Sequence, residues 1–367
     1  MDWLIGYLIP FLVVLTVLVF VHELGHYLVA RYNGVRIEVF SIGFGPEIFG
    51  WTDRVQTRWK FSLIPLGGYV RMFGDADASS RPDHDALRKA PDELRQQSLH
   101  SKTPWQRIAI SAAGPLANFL FSFIVLAIVF MIKGQPTYST TVAAVSPGMQ
   151  AEKAGLLADD TILKINHETV HDFEQVRGII RKSGGKELNF EIQRQQAMVT
   201  ITMTPEVENG AVKLLGINPA IKEFVPQGPL SACKDSVVLV YHLCTSLTYG
   251  VGRMIVGKGS ANELGSFLSI GSMAGDSAKF GAVALISFMA ILSVNLGMIN
   301  LFPIPMLDGG HILFYLIEIV RKKPISEKAQ EYAFIMGFVL VMGLMLFSTW
   351  NDLVRFKVIG WFLKGNN

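Results

Sequence analysis

The sequence predicts a polytopic α-helical membrane protein with four transmembrane helices, a membrane-associated β-hairpin or small sheet, and one inserted α/β domain. Three observations predict it. Half of the 367 residues are hydrophobic and the mean hydropathy is +0.36, too apolar for an ordinary soluble protein. The apolar residues come in blocks, each long enough to cross a hydrocarbon core of about 30 Å. Between the blocks lie polar stretches, and one of them, 137–220, carries strand and helix patterns of its own.

The first block, 4–28, runs into Arg31, so the first predicted span is 1–31. It has neither the basic start nor the small-residue cleavage site of a secretory signal peptide. Residues 32–107 form the first loop. Its early part alternates at Val35, Ile37 and Val39, then at Trp59, Phe61 and Leu63, with breaks at Gly43, Gly45, Gly67 and Gly68. That pattern predicts strands at 35–49 and 57–73, paired as a hairpin. Residues 75–104 are polar and charged and are expected to be mobile. His84 and His100 fall there without ligand spacing and read as solvated loop histidines.

The second span covers 108–132, between Arg107 and Lys133. In 137–220, strand-like runs at 142–145, 161–165, 188–193 and 198–203 surround helical pieces at 148–154 and 172–183. This is about the smallest usual size for a separate domain. Residues 221–280 are expected to be amphipathic and helical. The part from 229 to 257 nearly reaches spanning length, but His242, Arg253 and several hydroxyl residues favour a helix lying on the membrane surface over a fifth span. The third span, 281–320, is interrupted by Asn295, Asn300, Pro303 and Pro305, which suits a broken helix facing the bundle interior or a polar cavity. The fourth covers 329–350, and 351–367 form a tail.

Basic residues orient the chain. Arg31, Arg36, Lys102, Arg107, Arg321, Lys322, Lys323 and Lys328 border the connections that the positive-inside rule places in the cytoplasm. The N-terminus and 133–280 then face the other side, so the α/β domain is extracytoplasmic. Arg355, Lys357 and Lys364 in the tail run against the rule. A net charge of +3 gives no nucleic-acid footprint. The two cysteines, Cys233 and Cys244, fit neither a zinc knuckle nor a disulfide framework. On one straight helix they would lie about 16 Å apart, so packing is their expected role.

The chemistry-bearing motif ends the first span. His22-Glu-Leu-Gly-His26 puts two imidazoles one turn apart on one helix face. Both can hold a single zinc ion, with Glu23 beside it as general base. Charged and imidazole groups inside a membrane are expensive and rarely incidental. A catalytic zinc needs a third protein ligand, and the broken span offers Asp308, in an apolar stretch after a Pro-Ile-Pro break. The competing reading makes Asp308 the cap of a helix from Ile312.

At these residues the chain resembles the site-2 protease family of intramembrane zinc metalloproteases, with bacterial regulator-of-sigma-E proteases the nearest in pattern. The motifs are His22-Glu-Leu-Gly-His26, Gly67-Gly-Tyr-Val-Arg-Met72, Ala113-Gly-Pro-Leu-Ala-Asn118 and Asn300-Leu-Phe-Pro-Ile-Pro-Met-Leu-Asp-Gly309. The 137–220 domain is similar to a PDZ domain through Ala154-Gly-Leu156 and Asp160-x-Ile-Leu-x-Ile-Asn166. Two glycines usual in that pattern are Asp159 and His167 here, at positions that call for positive φ. The better-known relatives carry two such domains, and this chain has room for one.

The resemblance implies hydrolysis of peptide bonds inside transmembrane segments, with Zn²⁺ as cofactor and His22, His26 and Asp308 as ligands. It implies a multi-pass protein of the bacterial inner membrane with the PDZ-like domain in the periplasm. The implied substrates are membrane proteins such as a trimmed anti-sigma factor or a signal-peptide remnant, met in the lipid bilayer. No nucleic-acid partner is implied. The strand carrying Gly67, Gly68 and Tyr69 is expected to pair with an unwound substrate. Asn300 either holds the substrate backbone or oxyanion, or makes a helix–helix bond. Asn118 and Asn295 are expected to serve packing. His311 either supports Asp308 or lies at the interface. His167 and His171 read as exposed. The competing functions are a non-catalytic PDZ-bearing membrane scaffold and a zinc transporter. Neither needs a general base, and no internal repeat of the transporter kind is visible.

Overall fold

The computed structural model describes residues 4–75, 83–208, 211–212, 215–257 and 266–355. Two compact units emerge, one from Met1–Val129 with Leu230–Asn367, the other Phe130–Pro229.

Among the described residues, four helices are long and apolar enough to cross a membrane: Ile5–Tyr32, Pro104–Ile132, Ala282–Leu301 and Lys328–Val354. Helix α1 (Ile9–Tyr32) carries a proline in its first turn, where a missing N–H costs nothing. After it come strands β1 (Ile37–Thr52) and β2 (Arg58–Met72), short helices α2 (His84–Lys89) and α3 (Asp92–Arg95), then α4 (Pro104–Ile132). Helix α4 starts four residues before the expected 108. The cause is a capping box: Gln106 N–H donates to Thr103 Oγ1 and Thr103 N–H to Gln106 Oε1, with Pro104 at the first helical position.

The expected hairpin is a more folded sheet. Phe40 pairs with Val70 on one side and Trp59 on the other, and Trp51 pairs with Trp59. Residues 39–42 therefore lie inside the sheet, with 68–72 as one edge and 49–52 as the other. The bends fall at Gly43 and Gly67, whose φ values of 89° and 126° favour glycine. Between the strands, Asp53 closes the turn by accepting from Val55 N, Thr57 N and Trp59 Nε1 at 2.9–3.0 Å. Burial works against the charge on Asp53, but these bonds outweigh it and hold the carboxyl below its usual range. The outer part of the sheet exposes Ile48, Phe49, Trp51, Leu63 and Ile64.

The segment expected to be a mobile loop is partly ordered. His100 is not a solvated histidine: its Nε2 lies 3.2 Å from Oδ1 of the buried Asp75, and Leu99 joins the core with Val35, Phe40, Val70 and Ile110. A buried carboxylate requires such a partner. Residues 76–82 and the side chain of His84 lie outside the described residues.

Beyond the second unit, α7 (Pro229–Ile255) is one continuous helix with Cys233 and Cys244 both free. Helix α8 (Phe267–Lys279) follows, its N-terminus capped by Asp352, which accepts from the backbone N–H of Ser266 and Ser269 at 3.0 and 3.1 Å. The broken span is α9 (Ala282–Leu301), a turn, and α10 (Asp308–Arg321). The last helix, α11 (Glu327–Arg355), runs past the expected 350 because Asp352 is tied to α8; the tail from 356 onward, with Lys357 and Lys364, lies outside the described residues.

The second unit is an antiparallel sheet with a flanking helix. Its strands are β3 (Gln135–Val145), β4 (Thr161–Ile165), β5 (Glu168–Thr169), β6 (Leu188–Arg194), β7 (Ala197–Met203) and β10 (Ile217–Val225), with short β8 (Val207–Glu208) and β9 (Ala211–Val212) paired separately. The order is β10-β3-β4-β6-β7. Strand β10 extends past the expected boundary at 220, since it pairs with β3 from Ile217↔Val145 to Val225↔Gln135. Short α5 (Gln150–Lys153) and the longer α6 (Phe173–Lys182) complete it; α6 buries Phe173, Val176 and Ile180 against Ile162, Phe190 and Ile192. Asp159 and His167 take φ of 69° and 73°, so these residues adopt the turn geometry that glycine would supply. Arg194 holds the buried Asp160 with two bonds of 2.7–2.8 Å.

Candidate active site

Helix α1 presents His22 and His26 on one buried face, and the turn after α9 brings Asp308 to them. That turn is Ile304–Leu307, closed by Leu307 N–H donating to Ile304 O at 3.0 Å. Pro305 sets its first corner, and Met306 takes φ of 90° at the second. This left-handed geometry costs a side-chain-bearing residue on the order of 1 kcal/mol. Asp308 is not the cap of α10: Leu307 occupies that position, and no side chain caps the helix. The carboxylate instead points at the histidines from the helix's positive end.

The distances are informative. His22 Nε2 lies 3.1 Å from Asp308 Oδ2, His26 Nε2 lies 3.4 Å from Oδ1, and the two Nε2 atoms are 3.2 Å apart. Tetrahedral zinc ligands with bonds of about 2.0–2.1 Å stand roughly 3.3–3.4 Å from one another. Among the described residues, this is the one group of three such donors that could share an ion.

The surroundings set the tautomers. The carbonyl oxygen of Ile110 can only accept, so His26 Nδ1–H donates to it at 2.8 Å and leaves Nε2 with a bare lone pair. His22 Nδ1 faces the buried carboxamide of Asn118, whose nitrogen is 3.2 Å away and whose Oδ1 has no partner. For His22 Nε2 to offer a lone pair, Nδ1 must carry the proton and needs an acceptor. Turning the amide by half a revolution puts the orphaned oxygen there. Both observations fit a zinc ion held by His22, His26 and Asp308. Asn118, expected to serve packing, contacts the His22 ring directly; an asparagine inside an apolar span was the available signal. Asn118→Ala is expected to weaken zinc binding roughly 10–100-fold while Asn118→Asp, which still accepts, largely restores it, as read by competition with a chelator.

Glu23, His22, His26, Asp308, Asn300, Gly67, Gly68 and Tyr69 all line one cavity of about 550 Å³, which also has Phe44 and Met306 in its walls. A Cβ at Gly68 would lie 3.6 Å from Glu23 Cγ and 2.9 Å from Val19, so glycine lets the sheet edge approach the motif. The Asn300 side chain makes no hydrogen bond among the described residues. His311 also lines the cavity, its ring against Tyr315 and Phe334 and without a bond to Asp308. Asn295 is half-buried in α9. Ser293 Oγ donates to Asn118 O, tying α9 to α4, and a 2.6 Å ion pair between Arg107 and Glu318 ties α4 to α10.

The profile of peptidase family M50 matches residues 10–344. Metalloprotease MmpA of Caulobacter vibrioides is 37% identical over 389 aligned positions, covering 97% of this chain and 98% of that protein. Regulator of sigma-E protease RseP of Salmonella typhimurium is 30% identical over 452, covering 95% and 98%. Relatives at 38–40% identity carry zinc metalloprotease in their names.

Proposed function

The chain belongs to peptidase family M50 and is an intramembrane zinc metalloprotease, and from that premise we propose a role for each residue of the cavity. His22, His26 and Asp308 hold the zinc. The observation that carries this is the convergence of two imidazole Nε2 atoms and the two carboxylate oxygens of Asp308 at 3.1–3.4 Å, which only a cation or a proton makes favourable. Once bound there, zinc supplies a Lewis acid for the scissile carbonyl and makes water more acidic. Glu23 takes the proton that the attacking water loses and delivers it to the leaving nitrogen.

The substrate is a membrane-spanning segment, locally unwound. A helical peptide bond is shielded and bonded to its own chain, so the backbone must first open. Edge 68–72 of the sheet accepts the opened chain as an added strand beside Glu23. Asn300, with its carboxamide uncommitted, binds the substrate backbone or the developing oxyanion. The exposed aromatic and aliphatic outer sheet rests in the lipid. The Phe130–Pro229 unit is PDZ-like, lies outside the cytoplasm, and excludes substrates with bulky ectodomains. The setting is a bacterial inner membrane, and the substrates are anti-sigma-type proteins already trimmed, or signal-peptide remnants.

Reconstituted protein is expected to cut single-span peptides within their apolar segment, to stop on treatment with a zinc chelator, and to resume on adding Zn²⁺. Peptides bearing a folded ectodomain should be spared, and a variant lacking 137–220 should cut both kinds. Cleavage confined to water-exposed flanks would defeat the intramembrane reading; equal sparing after deletion would defeat the filter.

A further inference from the structure

A second cavity, of about 390 Å³, has Arg31, Gly34, Arg36, Gln56 and Gln97 in its walls and no acidic residue among those lining it. Lys102 borders it: its Nζ lies 3.7 Å from where a Cβ on Gly34 would stand, and donates to Gln96 O at 2.9 Å. Two guanidiniums therefore line one space, with an ammonium near its rim. Four other arginines of the same unit, Arg58, Arg71, Arg95 and Arg107, each reach a carboxylate. Arg31 and Arg36 form no ion pair among the described residues, and Arg36 Nε is buried without a hydrogen-bond partner. The nearby carboxylate of Asp53 accepts from Val55, Thr57 and Trp59 and interacts with the charge of Arg31, but does not come within ion-pair distance of it. Two half-buried guanidiniums that line one cavity without an ion pair repel one another and attract an anion.

The position of Arg31 says where such an anion would come from. The candidate span Ile5–Tyr32 has 28 residues. At 1.5 Å per residue it reaches about 42 Å, the thickness of a whole bilayer with its headgroups. Arg31 is its penultimate residue, so the cavity opens at headgroup level, on the side that the basic residues mark as cytoplasmic.

We propose that this cavity binds the phosphate of an anionic phospholipid headgroup. The planar guanidiniums of Arg31 and Arg36 donate to the phosphate oxygens, and Lys102 adds a point charge. The site lies on α1 beyond the catalytic motif and takes no part in the chemistry.

The test uses the full chain in neutral detergent, titrated with phosphatidylglycerol, phosphatidylcholine or inorganic phosphate, and followed by native mass spectrometry. Wild type is expected to retain phosphatidylglycerol over phosphatidylcholine by roughly tenfold or more. The variant R31Q/R36Q should lose that preference, whereas R88Q/K89Q, which removes equal charge from outside the cavity, should keep it. Zinc content of R31Q/R36Q should match wild type, which reports that the variant folds. Should it not fold, R31K/R36K keeps the charge without the fork and is expected to bind with a clearly reduced preference. An undiminished preference in either cavity variant overturns the proposal. So does full displacement of the lipid by millimolar inorganic phosphate, which would make the ligand a soluble anion.

Discussion

Glu23→Gln is expected to keep its zinc and lose cleavage. The substitution is close to isosteric and changes only the ability to accept a proton. Glu23 is not one of the three convergent donors, which are His22, His26 and Asp308. It lies one residue along α1 from His22, in the wall of the same cavity. Removing it should therefore leave the metal's coordination intact. General-base catalysis contributes roughly 10²–10⁴-fold, so kcat should fall by at least about that factor with KM little changed, since substrate binding uses the sheet edge and Asn300. Zinc content by atomic absorption and cleavage of a reconstituted peptide read the two effects separately. A metal-free variant would make Glu23 a structural partner of the site, and an active one would place the base elsewhere. The competing transporter reading makes a different forecast: altered zinc flux, and no cleavage by either protein.

The histidine motif was legible because its information is local: two histidines four positions apart on a helix fix a face. Asp308 is 282 positions further along than His26 and was reached through chemistry, as the acid that could complete the histidine pair where a helix cap was the other reading. What stayed hidden depends on contacts between distant segments. Nothing near Asn118 in the sequence says that its amide meets a ring on α1. Gly43 and Gly67 marked bends, but only the register, with Phe40 between Val70 and Trp59, makes 68–72 an edge. Strand β10 was concealed by Pro219, Lys222 and Glu223, residues that an edge strand tolerates because one side faces water. The pairing of His100 with Asp75 was equally unreadable, since a polar loop sequence does not announce which of its groups are buried.

Gly114→Ala should fold and yet fail to hold zinc. In an ordinary helix the change is favourable by roughly 0.5–1 kcal/mol, because alanine loses less backbone freedom. Gly114 lies in α4 one turn after Ile110, whose carbonyl accepts from His26. A Cβ at Gly114 would overlap His26 Nε2 and stand 2.8 Å from His22 Nε2. It would therefore press on both of the atoms that are to face the metal. Relief would require α1 to move away from α4, and that contact has no slack. A Cβ position at Gly25 already overlaps the Ala113 carbonyl and lies 2.7 Å from Ala117 Cβ, so the helices touch backbone to backbone. The imidazoles must rotate instead, and a ring displaced by about 1 Å no longer meets a bond length of about 2.0–2.1 Å. Zinc affinity is expected to fall by roughly 100-fold or more, the scale on which even supporting residues act, with cleavage lost in proportion. Gly343→Ala in α11, where a Cβ meets nothing within 4 Å, is the matched control and should leave zinc and activity unchanged. Thermal unfolding of the zinc-free proteins should show Gly114→Ala still folded, with a cooperative transition lowered by no more than the roughly 1–3 kcal/mol that overpacking costs. A Gly114→Ala protein that binds zinc with wild-type affinity would mean that the ion is not held between these two imidazoles, and the assignment of His22 and His26 would fall with it.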